Sequence, residues 1–360
     1  EQEGVSTIPR GMIIIRLPFL RISKYMRAVY TFSCLAALFL GTPVFAEPLS
    51  FSVEQVFVNS VEQVFVNSVE QVFVNEDNHD LTRVGELEFI SGISVSSEDD
   101  RFGGLSDLSV SAEGRLIAIS DKGDRVIARL RHDKTGALIG LAEGDITRLR
   151  TPKGKPLKGK KKSDAEGLAR TANGYFVSFE HKHRIRFYPG QDPATHPAEK
   201  ITPPKGLKKM PNNGGLESLV ETGDGKLLTF SEDMVAGNGH TQGWLRSNNV
   251  WESIYLNRTE DFAPTGMTRL ASGEILVLER SYSLLKGPAA RIRLIEQKKI
   301  VAGAVLVGRE IARLSGSQTV DNMEGISAVM TPDGERIYLL SDDNFNPLQR
   351  NLIFMFRFAN

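Results

Sequence analysis

The chain has 360 residues, 44 Lys and Arg against 44 Asp and Glu, 41% hydrophobic residues and one cysteine, Cys34. Zero net charge argues against a general nucleic-acid binder, and a lone cysteine excludes an internal disulfide framework. The length suits one large repeat domain or two ordinary ones.

Residues 1–46 read as a leader and signal peptide. Met26-Arg27 precedes an apolar run from Ala28 to Leu40, and Val44-Phe45-Ala46 supplies small residues at the cleavage positions, so cleavage is expected after Ala46. The run falls short of the roughly 20 apolar residues of a membrane span, so export, with no span left after cleavage, is the expectation. Position 1 is not Met and Met12 offers a second start, so residues 1–25 read as upstream sequence. Cys34 lies within the apolar run rather than after it, unlike a lipid-modified cysteine, and its removal leaves no thiol nucleophile.

Residues 47–84 form an N-terminal segment in which SVEQVFVN occurs three times without a break, starting at Ser52, Ser60 and Ser68. One copy is expected to belong to the fold and the others to be added length. A period of eight is even, so every copy keeps the same strand faces and any one of them pairs in the same register.

From residue 85 to 360 a longer phrase recurs: an apolar anchor, six to eight residues to a Gly, a run of alternating apolar residues, then Ser or an acid. It reads GLSDLSVSAEGRLIAISDKG from Gly104, EGLARTANGYFVSFEHK from Glu166, ESLVETGDGKLLTFSED from Glu217, TGMTRLASGEILVLERS from Thr265 and EGISAVMTPDGERIYLLSDD from Glu324. The anchors are Leu108, Leu168, Leu219, Met267 and Ile326, 48 to 60 residues apart. Each phrase carries a turn dipeptide ending in Gly114, Gly174, Gly225, Gly273 or Gly334, which reads as a β-hairpin. Further apolar runs extend each unit to about four strands. Such units in series define an all-β fold, a β-propeller. The strands at residues 85–95 and 351–358 are left over and are expected to share a sixth blade that closes the ring, with five or seven blades as alternatives.

A hairpin folded about its central Gly brings the start of its first strand beside the end of its second. Ser106, Glu166, Glu217, Thr265 and Glu324 stand two residues before the anchors. Asp121, Glu180, Glu232, Glu279, Asp342 and Asp343 stand at the ends of the second strands. Both sets are expected to rim one mouth of the central channel. Crowded carboxylates repel unless cations or protons intervene, and hard oxygen ligands suit Ca²⁺, with Mg²⁺ as the alternative. The expected metal ligands are Asp121, Glu166, Glu180, Glu217, Glu232, Glu279, Glu324 and Asp342. Lys122, His181 and Arg280 follow three of these acids. The loop KGKPLKGKKK, residues 153–162, either steers an anionic substrate toward Glu166 or is a solvated basic loop. His181 and His183 make at most a weak metal pair, and no G-x-S-x-G elbow is present.

The phrases FGGLSDLSVSAEGRLIAISDKGD, DAEGLARTANGYFVSFEHKHRI, NNGGLESLV, PTGMTRLASGEILVLERSYS and DNMEGISAVMTPDGERIYLLSDDNFNPLQRNLIFMF resemble the phytase-like family, described as having esterase-like activity of phytase. The resemblance runs from Phe102 to Phe356. It implies an exported bacterial β-propeller, periplasmic or secreted, and phosphoester hydrolysis. In well-studied propeller phytases, clustered acids bind calcium ions that hold phosphate and activate water.

The function expected is a metal-dependent phosphoric-ester hydrolase acting on a small anionic or phosphorylated substrate. Glu166, Glu324, Arg280 and Lys122 are the catalytic candidates, Arg280 and Lys122 neutralising phosphate oxygens. No organic cofactor is indicated. Two alternatives stay open. One is a non-catalytic propeller that binds a small ligand, a glycan or a protein at the same mouth. The other is a carboxylester or lactone hydrolase, with Asn213, Asn322 and Asn344 available as ligands.

Overall fold

The computed structural model describes residues 68–359. The leader and the first two octapeptide copies lie outside the described residues. Among the described residues no helix is long and apolar enough to cross a membrane.

The third octapeptide copy opens the fold as β1 (Ser68–Val72), followed by β2 (Arg83–Val84) and β3 (Leu87–Ser96). Blade I comprises β4 (Leu105–Val110), β5 (Arg115–Ser120), β6 (Asp124–His132) and β7 (Leu138–Arg148). One helical turn, Lys160–Ser163, leads into blade II: β8 (Ala165–Thr171), β9 (Gly174–Phe179), β10 (Arg184–Pro189) and β11 (Glu199–Lys200). Blade III holds β12 (Ser218–Glu221), β13 (Leu227–Val235), β14 (Thr241–Ser247) and β15 (Val250–Leu256). Blade IV holds β16 (Ala263–Arg269), β17 (Ile275–Ser283) and β18 (Gly287–Ile295). The chain then crosses to add β19 (Val305–Leu306) in parallel to β15 and completes blade IV with β20 (Arg309–Leu314). Blade V begins with β21 (Asn322–Thr331), β22 (Gly334–Asp342) and β23 (Asn351–Phe358).

The propeller has five blades, one of the alternatives, and not the six expected from five phrases plus a blade of terminal strands. The terminal strands do not form a blade of their own: β23 pairs with β22 and β3 pairs with β23, so the order in blade V is β21-β22-β23-β3-β1. The fifth phrase brings only a hairpin, to which β23 adds a third strand, and the free edge of β23 is taken by β3. The N-terminal strand therefore satisfies the open edge, and chain ends far apart in sequence close the ring. Phe89 of β3 packs edge-on to Phe354 and Phe356 of β23, with centroids 5.5 Å apart in each pair.

The hairpin strands have both faces covered, which is why they read as nearly continuous apolar runs. Period-two alternation divides each strand between two neighbours. In β5, Leu116 and Ala118 pack toward blade V while Ile117 and Ile119 pack toward blade II. In β22, Tyr338 and Leu340 face blade I while Ile337 and Leu339 face blade IV. The same division in β9, β13 and β17 gives five apolar layers, one between each adjacent pair of blades, including blade V against blade I. The five anchors are all buried, and all line one cavity of about 410 Å³ at the centre of the ring. At the far end of each hairpin the turn glycine has φ between +76° (Gly114) and +154° (Gly174), a region that side-chain-bearing residues rarely enter.

Candidate active site around Arg280 and Glu166

Strand register carries the candidate acids together in pairs. Ala165 lies opposite Phe179, Ser218 opposite Phe230, Pro264 opposite Glu279 and Asn322 opposite Asp342, so first-strand starts meet second-strand ends in the same hairpin. In four of the five first strands the register slips here by one residue, at Ser106, at Glu166-Gly167, at Thr265 and at Glu324. These are β-bulges, which re-aim a side chain out of the regular alternation. Glycine follows three of the bulged residues because the next blade crosses close by. A Cβ on Gly167 would sit 2.4 Å from the Glu217 carbonyl oxygen, and one on Gly266 2.8 Å from that of Glu324.

Blade I breaks this pattern with Asp107, a fully buried carboxylate where the other copies have Gly or Ser. Its Oδ1 accepts the Leu108 N–H at 2.8 Å and its Oδ2 accepts the Leu168 N–H of blade II at 2.7 Å. Burial holds its carboxyl well above the usual range, against the pull of those hydrogen bonds. Sequence reading passed over Asp107, although an acid at a position otherwise reserved for small residues was a visible signal.

Arg280, three residues before the end of β17, joins three blades. Its Nη1 donates to Asn322 Oδ1 and Glu324 Oε1 of blade V, and its Nη2 donates to Glu232 Oε1 of blade III at 3.0 Å. Glu217 Oε2, also from blade III, lies 3.8 Å from Nη2 and is buried with no hydrogen-bond partner. Asn322 Nδ2 donates to Glu324 Oε1 at 2.7 Å. One guanidinium thus faces three carboxylates. Burial pushes Glu324 up to about 8, although Arg280 pulls it down, and it holds Glu217 well above the ordinary glutamate range. Burial opposes the charge on Arg280, but Glu324, Glu217 and Glu232 together outweigh it and raise its affinity for the proton.

A second acidic group gathers at blade II. Ligand atoms of Asp164, Glu180 and His181 lie within 4.8 Å of one another, an arrangement able to hold a metal ion. His181 Nε2 is 2.9 Å from Asp164 Oδ2, and Glu180 Oε1 accepts the N–H groups of Gly214 and Gly215 at 2.7 and 3.1 Å. Burial pushes Asp164 up to about 6, with Lys160 pulling down and Glu180 pushing up. Glu166 is raised well above the ordinary value, first by burial and then by the charges of Asp164, Glu180, Glu324 and Asp121. It makes no hydrogen bond or ion pair among the described residues. Its electrostatic neighbours link the blade II acids to those around Arg280.

The remaining candidates are placed as follows. Asp121 lies 3.7 Å from Lys160 through Oδ2 and buries Oδ1 without a hydrogen bond. Asp342 is pushed up to about 7 by burial, while accepting the Asn344 N–H at 2.9 Å. Asp343 accepts the Gly104 and Phe345 N–H groups at 2.9 and 3.0 Å, tying blade V to blade I. Glu279, expected among the metal ligands, is 1% exposed and has both oxygens taken by arginines. Oε2 is bonded by Arg291 at 2.7 Å and by Arg293 at 2.6 Å, and Oε1 by Arg293 at 2.5 Å. Lys122, expected to face a phosphate, places Nζ 3.1 Å from the centre of the Phe345 ring and donates to the Asp100 carbonyl at 3.1 Å. His183 bonds the Pro211 carbonyl at 2.7 Å and stands apart from the metal-capable group. Asp164 was visible in the sequence just before Glu166, but only the fold shows it turning toward His181.

A cavity of about 620 Å³ opens beside Arg280, lined also by Glu232, Asp261, Ala263, Tyr282, Asp321 and Asn322. The central cavity, lined by the anchors, holds Arg170, Arg269 and Glu335 but none of the candidate acids. Of these two cavities, only the one beside Arg280 is lined by a candidate acid, Glu232.

Similar solved structures include a glutaminyl cyclase from Myxococcus xanthus, with TM-score 0.41 and 12% identity over 75% of this chain and 95% of that one. An α-L-arabinofuranosidase from Podospora anserina gives TM-score 0.43 and 13% identity, covering 77% and 98% of the two chains. A mannose phosphorylase from Leishmania mexicana gives 0.37 and 13%, covering 84% and 91%. No curated protein matches the sequence significantly. The family model described as phytase-like, esterase-like activity of phytase, matches residues 100–345. The chain belongs to that phytase-like family.

Proposed function

We propose that this protein is an exported phosphoric-ester hydrolase that works with a divalent cation, Ca²⁺ or Mg²⁺, at an acidic rim on one mouth of the propeller. The observation that carries the reading is the group Asp164, Glu180 and His181, whose ligand atoms lie within 4.8 Å of one another, next to the Glu166 carboxylate. Glu324, Glu232 and Glu217 lie within 4 Å of Arg280, whereas Glu166 faces chiefly the like charges of Asp164, Glu180, Glu324 and Asp121. Carboxylate oxygens without partners, such as Asp121 Oδ1, fit a hard cation. A bound cation would supply Lewis-acid polarisation of the phosphoryl oxygens and a more acidic water.

The chain's own residues do the rest. Glu166, Asp164, Glu180 and Asp121 would hold the cation. Arg280 lines the 620 Å³ cavity and would orient an anionic ester there while fixing Glu324 and Glu217 in place. Glu324, pushed up to about 8, holds a proton at neutral pH and would deliver it to the leaving alkoxide oxygen. Lys122, engaged with Phe345 and Asp100, would act at a distance through its charge. The leader at residues 1–46 supports a periplasmic or secreted location.

The test is hydrolysis of a phosphomonoester with and without chelator. Activity should fall on chelation and collapse in the Glu166→Ala, Glu324→Ala double variant, and turnover indifferent to both would overturn the reading. The prior engagement of both Arg280 and Lys122 favours a second reading, a propeller that binds an anionic ligand without turnover. That reading predicts cation-dependent thermal stabilisation and no hydrolysis.

A further inference from the structure

The three most exposed large apolar side chains among the described residues are Leu284, Leu285 and Leu348, at 91%, 97% and 89%. They stand on two different loops that border one cavity. Leu284 and Leu285 form the tip of the β17–β18 hairpin, between Ser283 and Gly287, which pair across it. The same hairpin gives Tyr282, Pro288 and Ala289 to the wall of the 620 Å³ cavity. Leu348 belongs to the loop between β22 and β23, whose Gln349 also lines that cavity.

Neither tip is slack chain. The Leu285 N–H donates to Ser283 Oγ at 3.3 Å, and the Leu348 N–H donates to Asn346 Oδ1 at 3.1 Å. The Gln349 N–H donates to the Asn346 carbonyl at 2.9 Å. Local hydrogen bonds thus hold the leucines outward. The hairpin extends beyond Arg280 because β17 runs nine residues, three past that arginine; β13 and β22 of blades III and V are as long, while β5 and β9 of blades I and II run six. Exposed Lys286 and Arg350 stand beside the leucines, and Tyr282 is 71% exposed at the hairpin's base.

Apolar tips with an amphipathic tyrosine behind them and cations beside them are the composition of a segment that rests in a lipid interface. The leucines stand on two separate loops that border the same cavity. A fluid surface accommodates separate apolar tips, while a protein partner would need a continuous complementary face. We propose that this face docks on a lipid surface, with Leu284, Leu285 and Leu348 entering the apolar layer, so that the ester admitted to the cavity is an amphiphile carried in that layer. The docking half rests on the loops alone, and the substrate half rests on the hydrolytic reading above.

The test uses the full chain carrying Leu285→Trp, with the unsubstituted chain as background for the existing tryptophans, and vesicles of phosphatidylcholine doped with phosphatidylglycerol. The added emission should shift to the blue on mixing and be quenched when the acyl chains are brominated. Adding Leu284→Ser and Leu348→Ser should raise the lipid concentration needed by about tenfold per leucine. Emission unchanged by vesicles overturns docking, as does a blue shift produced by self-association without lipid. In parallel, hydrolysis of an alkyl phosphate by the unsubstituted chain should rise sharply once the substrate aggregates. A rate blind to aggregation overturns the substrate half alone. No hydrolysis of either form overturns the hydrolytic reading and leaves docking to the tryptophan result.

Discussion

Replacing Arg280 by Gln measures how far one guanidinium holds the acids of blades III and V. Three carboxylates within 4 Å of it, those of Glu217, Glu232 and Glu324, would lose the only ion-pair partner they have among the described residues. Removing one partner from a buried ion cluster costs about 3–5 kcal/mol, but a carboxyl can escape part of that cost by taking up a proton. Glu324 already does so at neutral pH, with its value near 8 against 4.5 when unperturbed. An acid whose value is raised by folding keeps its proton in the native state while the unfolded chain has lost it, so stability falls as pH rises between the two values. Without Arg280 the native values climb further, and the fall becomes steeper and extends to higher pH. The variant should therefore lose about 3–5 kcal/mol at pH ~9 and only about 1–2 kcal/mol at pH ~5, the worth of the hydrogen bonds alone. For a domain of this size the alkaline loss corresponds to a drop in Tm on the order of 10 °C. Thermal unfolding in chelator at both pH values reads the difference, and Glu324→Gln in the same background should recover part of the alkaline loss. An equal loss at both pH values would refute the argument, because it would mean that Arg280 acts by packing rather than by charge.

Asp342→Asn should stabilise the protein at pH ~8 by at most about 4 kcal/mol and leave it unchanged near pH 4. The native value near 7 against 3.8 unperturbed makes the carboxylate a liability once both states are ionised, and Tm at the two pH values decides it. Glu279→Gln should leave Arg291 and Arg293 buried without a full counter-charge and cost about 3–5 kcal/mol while leaving calorimetric Ca²⁺ affinity unaltered, and a lost affinity would return Glu279 to the metal set. Gly167→Ala forces a Cβ to 2.4 Å from the Glu217 carbonyl oxygen. It should cost about 1–3 kcal/mol in urea unfolding, and a neutral result would mean that the blade II and III first strands can separate without penalty.

The period of the long phrase, its turn glycines and its alternating apolar residues were enough to place all five inner hairpins, because each depends only on residues close in sequence. The blade number was not fixed by that pattern: the partner of β23 is β3, at the other end of the described chain, and no local signal announces a pairing over such a distance. Folding each phrase about its Gly also brought the start of its first strand beside the end of its second, as the register shows. The individual fates of the acids were illegible. Glu279 and Glu232 look alike in the sequence, yet two arginines of its own blade enclose the first while the second shares Arg280 with blade V. Asp107 and Asp164 were passed over because their partners, the Leu168 N–H and His181, are brought to them only by the fold. The sequence by itself determined the repeated hairpin and the clustering of acids, since both follow from backbone alternation and turn chemistry within a single repeat. The tertiary structure alone decided which of those acids meet a cation, as Glu279 does, and which, like Glu166, face chiefly other acids, since pairing depends on side chains from different strands and blades meeting at a few ångströms.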